Sequence, residues 1–333
     1  MVRSRTVSYI RGLSIAAIVL YHLIAYYLQV PEIMKMLSRF GGAGVHLFFI
    51  ISGFGLALSC NRKWCGLKTY ISRRFYKVYL PYIMVVLLCF FTPWILTTEN
   101  RVSALLSHVF LYKMFSDQYT ISFGAHFWYV STLIQFYVLF PILMKIKRKY
   151  GNKVFITGTV VISVVWIIII ILLNKQDSRV WNSCCIKMLW EFSLGIVCAD
   201  YYERKGKIYG ENLKTLSLCC VTIVGAVIYV LFSIRGGILQ QFNDVFAVIS
   251  FGGVTLLFAK YHIMEKTVQY ISSISYEIYL LHLWILTTVF HFLQGNIAQF
   301  WIILIALAMI VIISGVYHKI LEFFFKISRR MKA

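Results

Sequence analysis

Ten stretches of the chain, roughly 7–28, 41–60, 76–97, 124–144, 154–173, 183–201, 214–234, 243–260, 272–293 and 297–320, are apolar over about the length a helix needs to cross a bilayer. In lipid such a stretch must satisfy its own backbone polar groups, which an α-helix does. A composition of 60% hydrophobic and 14% charged residues also lies outside the range of soluble domains. The expected fold is all-α, a polytopic membrane helix bundle of about ten transmembrane helices. It is expected to form a single integral-membrane domain over 1–333, with no appended extracellular domain.

The formal charge of +21 invites a nucleic-acid reading, but the cations follow the apolar segments and do not gather in a soluble module. Alternate connections carry them very unequally: 25 Lys and Arg fall on the set that includes both termini, 7 on the other set, and Lys187 lies within a helix. The positive-inside bias then puts both termini in the cytoplasm of a cell-membrane protein, and it accounts for the charge without nucleic acid. The first segment has a basic start but no small-residue cleavage site, so it reads as a retained helix and not a signal peptide. The eight cysteines lie mostly in or beside apolar segments without metal or disulfide spacing, as small core residues would. No metal site is expected.

Polar residues inside apolar runs cost a few kcal/mol to insert and usually have a use. Arg11 and His22 are eleven apart in the first segment. On a helix this returns to within about 20° of one face and separates them by roughly 16 Å, which makes this the candidate active-site helix. His282 falls near mid-membrane in the ninth segment, with Ser275 nearly on its face, and His126 lies near the outer end of the fourth. His46 is either a polar residue satisfied near the outer interface or a group lining the site. His108, in a short apolar segment (104–115) between Glu99 and Phe123, reads as interfacial. Arg73, Arg74 and Lys77 sit within one turn, where they can anchor anionic lipid headgroups or gather around the phosphates of a cytosolic ligand. Lys187 and Glu191, four apart, are expected to pair within their helix, and Ser131 and Gln135 to hydrogen-bond between helices.

These motifs together resemble the acyltransferase 3 family, multi-pass membrane enzymes that O-acylate carbohydrates of the bacterial envelope. Arg11 and His22 match the Arg and His of the family's first helix. Phe48, Phe49, Ser52 and Gly53 match its Phe-Phe-x-x-Ser-Gly run, and Arg73 and Arg74 its basic third-helix motif. His126, Trp128, Gln135, Phe136, Tyr137 and Pro141 match the fourth helix, and Ser275, Tyr276, Tyr279, Leu280 and His282 the run near the end. Lys77 replaces a third arginine, and Leu133 stands where many members carry glutamate.

The resemblance implies a membrane O-acyltransferase, most simply an O-acetyltransferase. It would have no tightly bound cofactor, would take acetyl-CoA or another acyl-CoA as donor, and would accept on a hydroxyl of an envelope polysaccharide or its lipid-linked precursor. His22, His126 and His282 are then the catalytic candidates, and Arg11, Arg73, Arg74 and Lys77 the groups for the donor phosphates. The alternative is a non-enzyme that exports or flips a polysaccharide or lipid-linked sugar. No evident inverted repeat or matched pair of interrupted segments supports it.

Overall fold

The computed structural model describes residues 4–95, 100–208 and 213–330, which form helices joined by turns, with no strand among the described residues. In chain order these are α1 (Arg5–Tyr27), α2 (Glu32–Ser38), α3 (Gly44–Arg62), α4 (Leu67–Arg74), α5 (Leu80–Phe91), α6 (Arg101–Val109), α7 (Trp128–Leu172) and α8 (Arg179–Asn182). There follow α9 (Leu189–Lys205), α10 (Thr215–Arg235), α11 (Gly237–Gln240), α12 (Asn243–Lys260), α13 (Glu265–Ser273), α14 (Ser275–Leu293) and α15 (Gln299–Arg330). Positions 96 and 97 of the third predicted segment, Glu99, and the end of the basic tail (331–333) lie outside the described residues.

Eight helices among the described residues are long and apolar enough to cross a membrane, against about ten expected. The difference has two physical sources. Ala125–Leu172 runs for 48 residues, more than twice a crossing, and is broken at Gly151, whose φ of +78° is open to a residue without Cβ. It therefore holds both the fourth and the fifth predicted segments. The sixth is α9, 17 residues long and starting at Leu189, later than its apolar stretch. The molecule is a multi-pass membrane protein.

The helices divide into an inner and an outer group. The apolar stretches of α3 and α14 are 72% and 61% buried, those of α10 and α15 only 17% and 22%. The second half of α7, which carries no ionisable residue after Lys153, leaves Val160, Val161, Ile162 and Val165 exposed to lipid. Close packing of the inner helices rests on glycines. A Cβ on Gly44 would lie 2.7 Å from the Ser14 carbonyl of α1, one on Gly53 2.1 Å from that of Phe192, and one on Gly195 1.9 Å from that of Ile50. All eight cysteines are free.

Ion pairs bring the two ends of the chain to one end of the bundle. Arg5 bonds to Glu265 (3.3 Å) at the start of α13, and His318 to Glu277 (2.8 Å) at the start of α14. A hydrogen bond from His262 holds the exposed Glu265 carboxyl below the usual carboxylate range.

At the opposite end, the segment between α5 and α7 is pinned by two cations, the part-buried Arg101 and the fully buried Lys113. Arg101 donates to the carbonyls of Cys89, Phe90 and Thr92 (2.7, 2.9 and 2.8 Å) at the C-terminal end of α5, where a cation is favoured by the helix dipole. Lys113 donates to the carbonyls of Tyr119, Thr120 and Ser122 (2.9, 2.7 and 2.9 Å). His108 is fully buried within the protein. The Ser122 carbonyl can only accept, so Nε2 of His108 carries the proton, and Nδ1 accepts from the Tyr82 hydroxyl at 2.6 Å. A cross-element network absorbs this histidine, which segment length alone does not reveal.

Candidate active site

Three helices meet at the histidines. His22 lies on α1, His282 in the middle of α14, and His126 in the 3₁₀ turn Ala125–Phe127 that leads into α7. All three are buried. His22 Nδ1 and His282 Nε2 are 2.8 Å apart, and the His126 and His282 rings lie 4.9 Å apart, edge to face.

The backbone assigns the proton order. His282 Nδ1 faces the carbonyls of Tyr279 (2.8 Å) and Ile278 (3.1 Å), which only accept, so this nitrogen carries hydrogen. A neutral His282 then offers its Nε2 lone pair to His22, whose Nδ1 must donate. Nε2 of His22 is left as the nitrogen that can take a proton. His22 is thus held in one tautomer by a second histidine, the orienting partner that the first helix by itself could not supply.

His126 Nε2 donates to the Leu280 carbonyl (3.3 Å), and its own carbonyl accepts from the Tyr279 hydroxyl. Its Nδ1 is buried without a partner. Because His126 lies in the turn before α7 and not on the helix, its ring faces α14 and does not point along the helical face of position 133. Lys113 organises the loop that delivers it. Lys113→Met removes the donor from three carbonyls and is expected to cost on the order of 3 kcal/mol or more, read as a lower thermal unfolding midpoint in detergent.

His22 and His126 line a cavity of about 430 Å³ at the end of the bundle away from the termini. Its other walls carry Tyr21, Arg39, Trp128, Arg179, Lys187 and Asp244. Sequence reasoning singled out neither arginine, because counting treats both as the minority of cations in outer connections. His46 is also a wall residue, and it binds Glu191 through Nδ1 (2.8 Å) and approaches Asp244 through Nε2 (3.5 Å). Ligand-type atoms of these three groups lie within 4.8 Å of one another, and Glu191 Oε2 is buried there without a hydrogen-bond partner.

The expected Lys187–Glu191 pair does not form. Lys187 precedes the first turn of α9, so the four-residue helical spacing does not apply. It bonds instead to Asn182 (3.0 Å) and Gln241 (3.2 Å) and pairs with Asp244 (3.6 Å). Of the two residues expected to bridge helices, Gln135 accepts from the Cys185 backbone N–H, whereas Ser131 bonds within its own helix.

Towards the other end, Arg11 and Arg74 both act on the Tyr137 hydroxyl, and the Arg74 guanidinium lies 5.6 Å from that ring. Arg11 also acts on Tyr129, whose ring meets that of Tyr279 at 5.0 Å. A line of tyrosines therefore joins the arginines to the histidines. Arg73 and Lys77 are exposed on the neighbouring turns, around a π-helical turn (Phe75–Tyr79), whereas Arg74 is half-buried beside Tyr137.

A polytopic helix bundle with a polar cavity walled in part by a histidine held in one tautomer defines a membrane protein with a buried polar site. The profile of the acyltransferase domain (acyltransferase 3 family) matches residues 5–319, and the chain belongs to this family of acyltransferases. It is 24% identical over 352 residues to the peptidoglycan O-acetyltransferase OatA of Listeria monocytogenes serovar 1/2a, a match that covers 94% of this chain and 54% of that protein. The chain thus spans about half the length of that relative. No solved structure matches.

Proposed function

We propose that the protein is a cell-membrane O-acyltransferase that moves an acetyl or other acyl group from cytosolic acyl-CoA to a hydroxyl of a cell-envelope polysaccharide or its lipid-linked precursor. The observation that carries this reading is the His22–His282 pair, which leaves an unprotonated nitrogen on a residue of the cavity wall. The excess of cations at the end bearing both termini supports a cytoplasmic placement of that end.

In the proposed reaction His22 Nε2 takes the proton of the acceptor hydroxyl as its oxygen attacks the thioester carbonyl. The tetrahedral intermediate collapses with cleavage of the carbon–sulfur bond, and the departing CoA thiolate takes the proton back from His22. No nucleophilic serine or cysteine stands paired with these histidines among the described residues, which supports direct transfer over an acyl-enzyme. Arg11 and Arg74 are proposed to hold donor phosphates, with the line of tyrosines marking the path of the pantetheine arm.

The test is incorporation of label from acyl-CoA into glycan by membranes containing the protein. Arg11→Ala and Arg74→Ala are each expected to raise the KM for acyl-CoA about tenfold or more, the worth of a charge-assisted contact, with acceptor KM unchanged. An unchanged donor KM in both variants would remove the phosphate role. CoA binding together with labelled transfer argues against the export reading, since neither is needed to move a glycan.

A further inference from the structure

The mouth of the cavity carries two guanidinium groups that the proton-transfer scheme does not use. Arg39 comes from the 3₁₀ turn after α2, and Arg179 starts α8; both are exposed towards the cavity wall they form. Neither has a carboxylate within 4.0 Å among the described residues. Arg179 instead lies over the Trp128 ring at 5.8 Å, and the backbone carbonyl of Arg39 accepts from the Tyr229 hydroxyl.

Although they come from separate loops, both side chains line the cavity together with Tyr21. Tyr21 precedes His22, and their rings are 4.8 Å apart. Two cations from separate loops therefore line the cavity that the proposed base also lines.

The remaining charges of the cavity do not cancel them. Asp244 faces Lys187 and His46, which leaves Asp177 as the carboxylate on the rim against two arginines. Gln176 and Gln240 supply neutral donors and acceptors suited to sugar hydroxyls, and Tyr26 and Trp128 offer rings.

We propose that the acceptor bound in this cavity carries an anionic group, a carboxylate or a phosphate, held between Arg39 and Arg179 while its hydroxyl faces His22. The proposal rests on the acyltransferase reading for the hydroxyl and on the cavity alone for the anion. Guanidinium forks suit both anions, and an anchor some distance from the reacting hydroxyl fixes which hydroxyl reaches the base.

The experiment uses the full chain in nanodiscs and the envelope glycan fraction of cells lacking the protein. Binding of that fraction is measured directly, then acyl transfer to it. One portion is carboxyl-reduced, and another is treated with mild acid to remove phosphate-linked groups. One of the two treatments is expected to weaken binding at least tenfold, and the arm that does so names the source of the charge. Arg39→Gln and Arg179→Gln are expected to weaken binding of untreated glycan about tenfold each and to raise acceptor KM with little change in kcat or donor KM; Arg179→Lys recovers part of the loss.

Binding indifferent to both treatments overturns the proposal. So does a fall in kcat at unchanged acceptor KM in the arginine variants, which would assign them to the transition state. Binding that follows the anion without labelled transfer by the unsubstituted protein would count against acyl transfer and leave the anion site standing.

Discussion

His22→Ala is expected to lower acyl transfer in membranes by about 10²- to 10⁴-fold, the usual worth of a positioned general base. Binding of acyl-CoA and of glycan should persist, because neither the arginines at Tyr137 nor those at the cavity mouth depend on the imidazole. The partner gives a graded companion result. His282 does not itself face the cavity but holds His22 in the tautomer that leaves Nε2 free. His282→Ala should therefore cost about 10- to 100-fold in kcat, the worth of one buried hydrogen bond, with both KM values unchanged. His282→Gln retains an acceptor and should recover part of that rate, which a merely structural loss would not show. Full activity in His22→Ala would remove the base assignment altogether.

Gly195→Val is expected to prevent assembly of the bundle. A Cβ at Gly195 would stand 1.9 Å from the Ile50 carbonyl, and one at Gly53 2.1 Å from that of Phe192. The two helices touch backbone to backbone, and no side chain is there to swing aside. In lipid, where burial of apolar surface gives no drive towards a neighbouring helix, such contact is the main source of association. Forcing α3 and α9 apart also opens the His46–Glu191 bond between them. The cost should exceed the ~3 kcal/mol typical of overpacking, seen as loss of monodisperse protein in size-exclusion chromatography from mild detergent. Gly55→Ala is the control. It lies on α3, the partner of α9, and its Cβ would meet nothing within 4 Å, so it should behave as the unsubstituted protein.

Much of this molecule is readable along the chain because a bilayer punishes deviation. Each crossing must be long, apolar and self-satisfied in its hydrogen bonds, so segment positions follow from composition alone, the joined fourth and fifth segments and the late start of α9 apart. The same penalty makes His22, His126 and His282 conspicuous, and the structure brings all three together. Helical spacing was less reliable where helices do not begin where apolarity does. Lys187 sits ahead of α9 and pairs with Asp244, and Arg74 parts company with Arg73 because only one of two adjacent residues can turn towards Tyr137.

The sequence by itself determined that this is an all-α membrane bundle and which buried residues stand out as candidates for its chemistry, since both follow from local hydrophobicity and polar exceptions to it. The tertiary structure alone decided what those residues do to one another. His22 and His282 are 260 positions apart, and Arg39 and Arg179 come from different loops. Hydrogen-bond direction, tautomer and convergence of charge are properties of packed surfaces, and no periodicity along one helix encodes them.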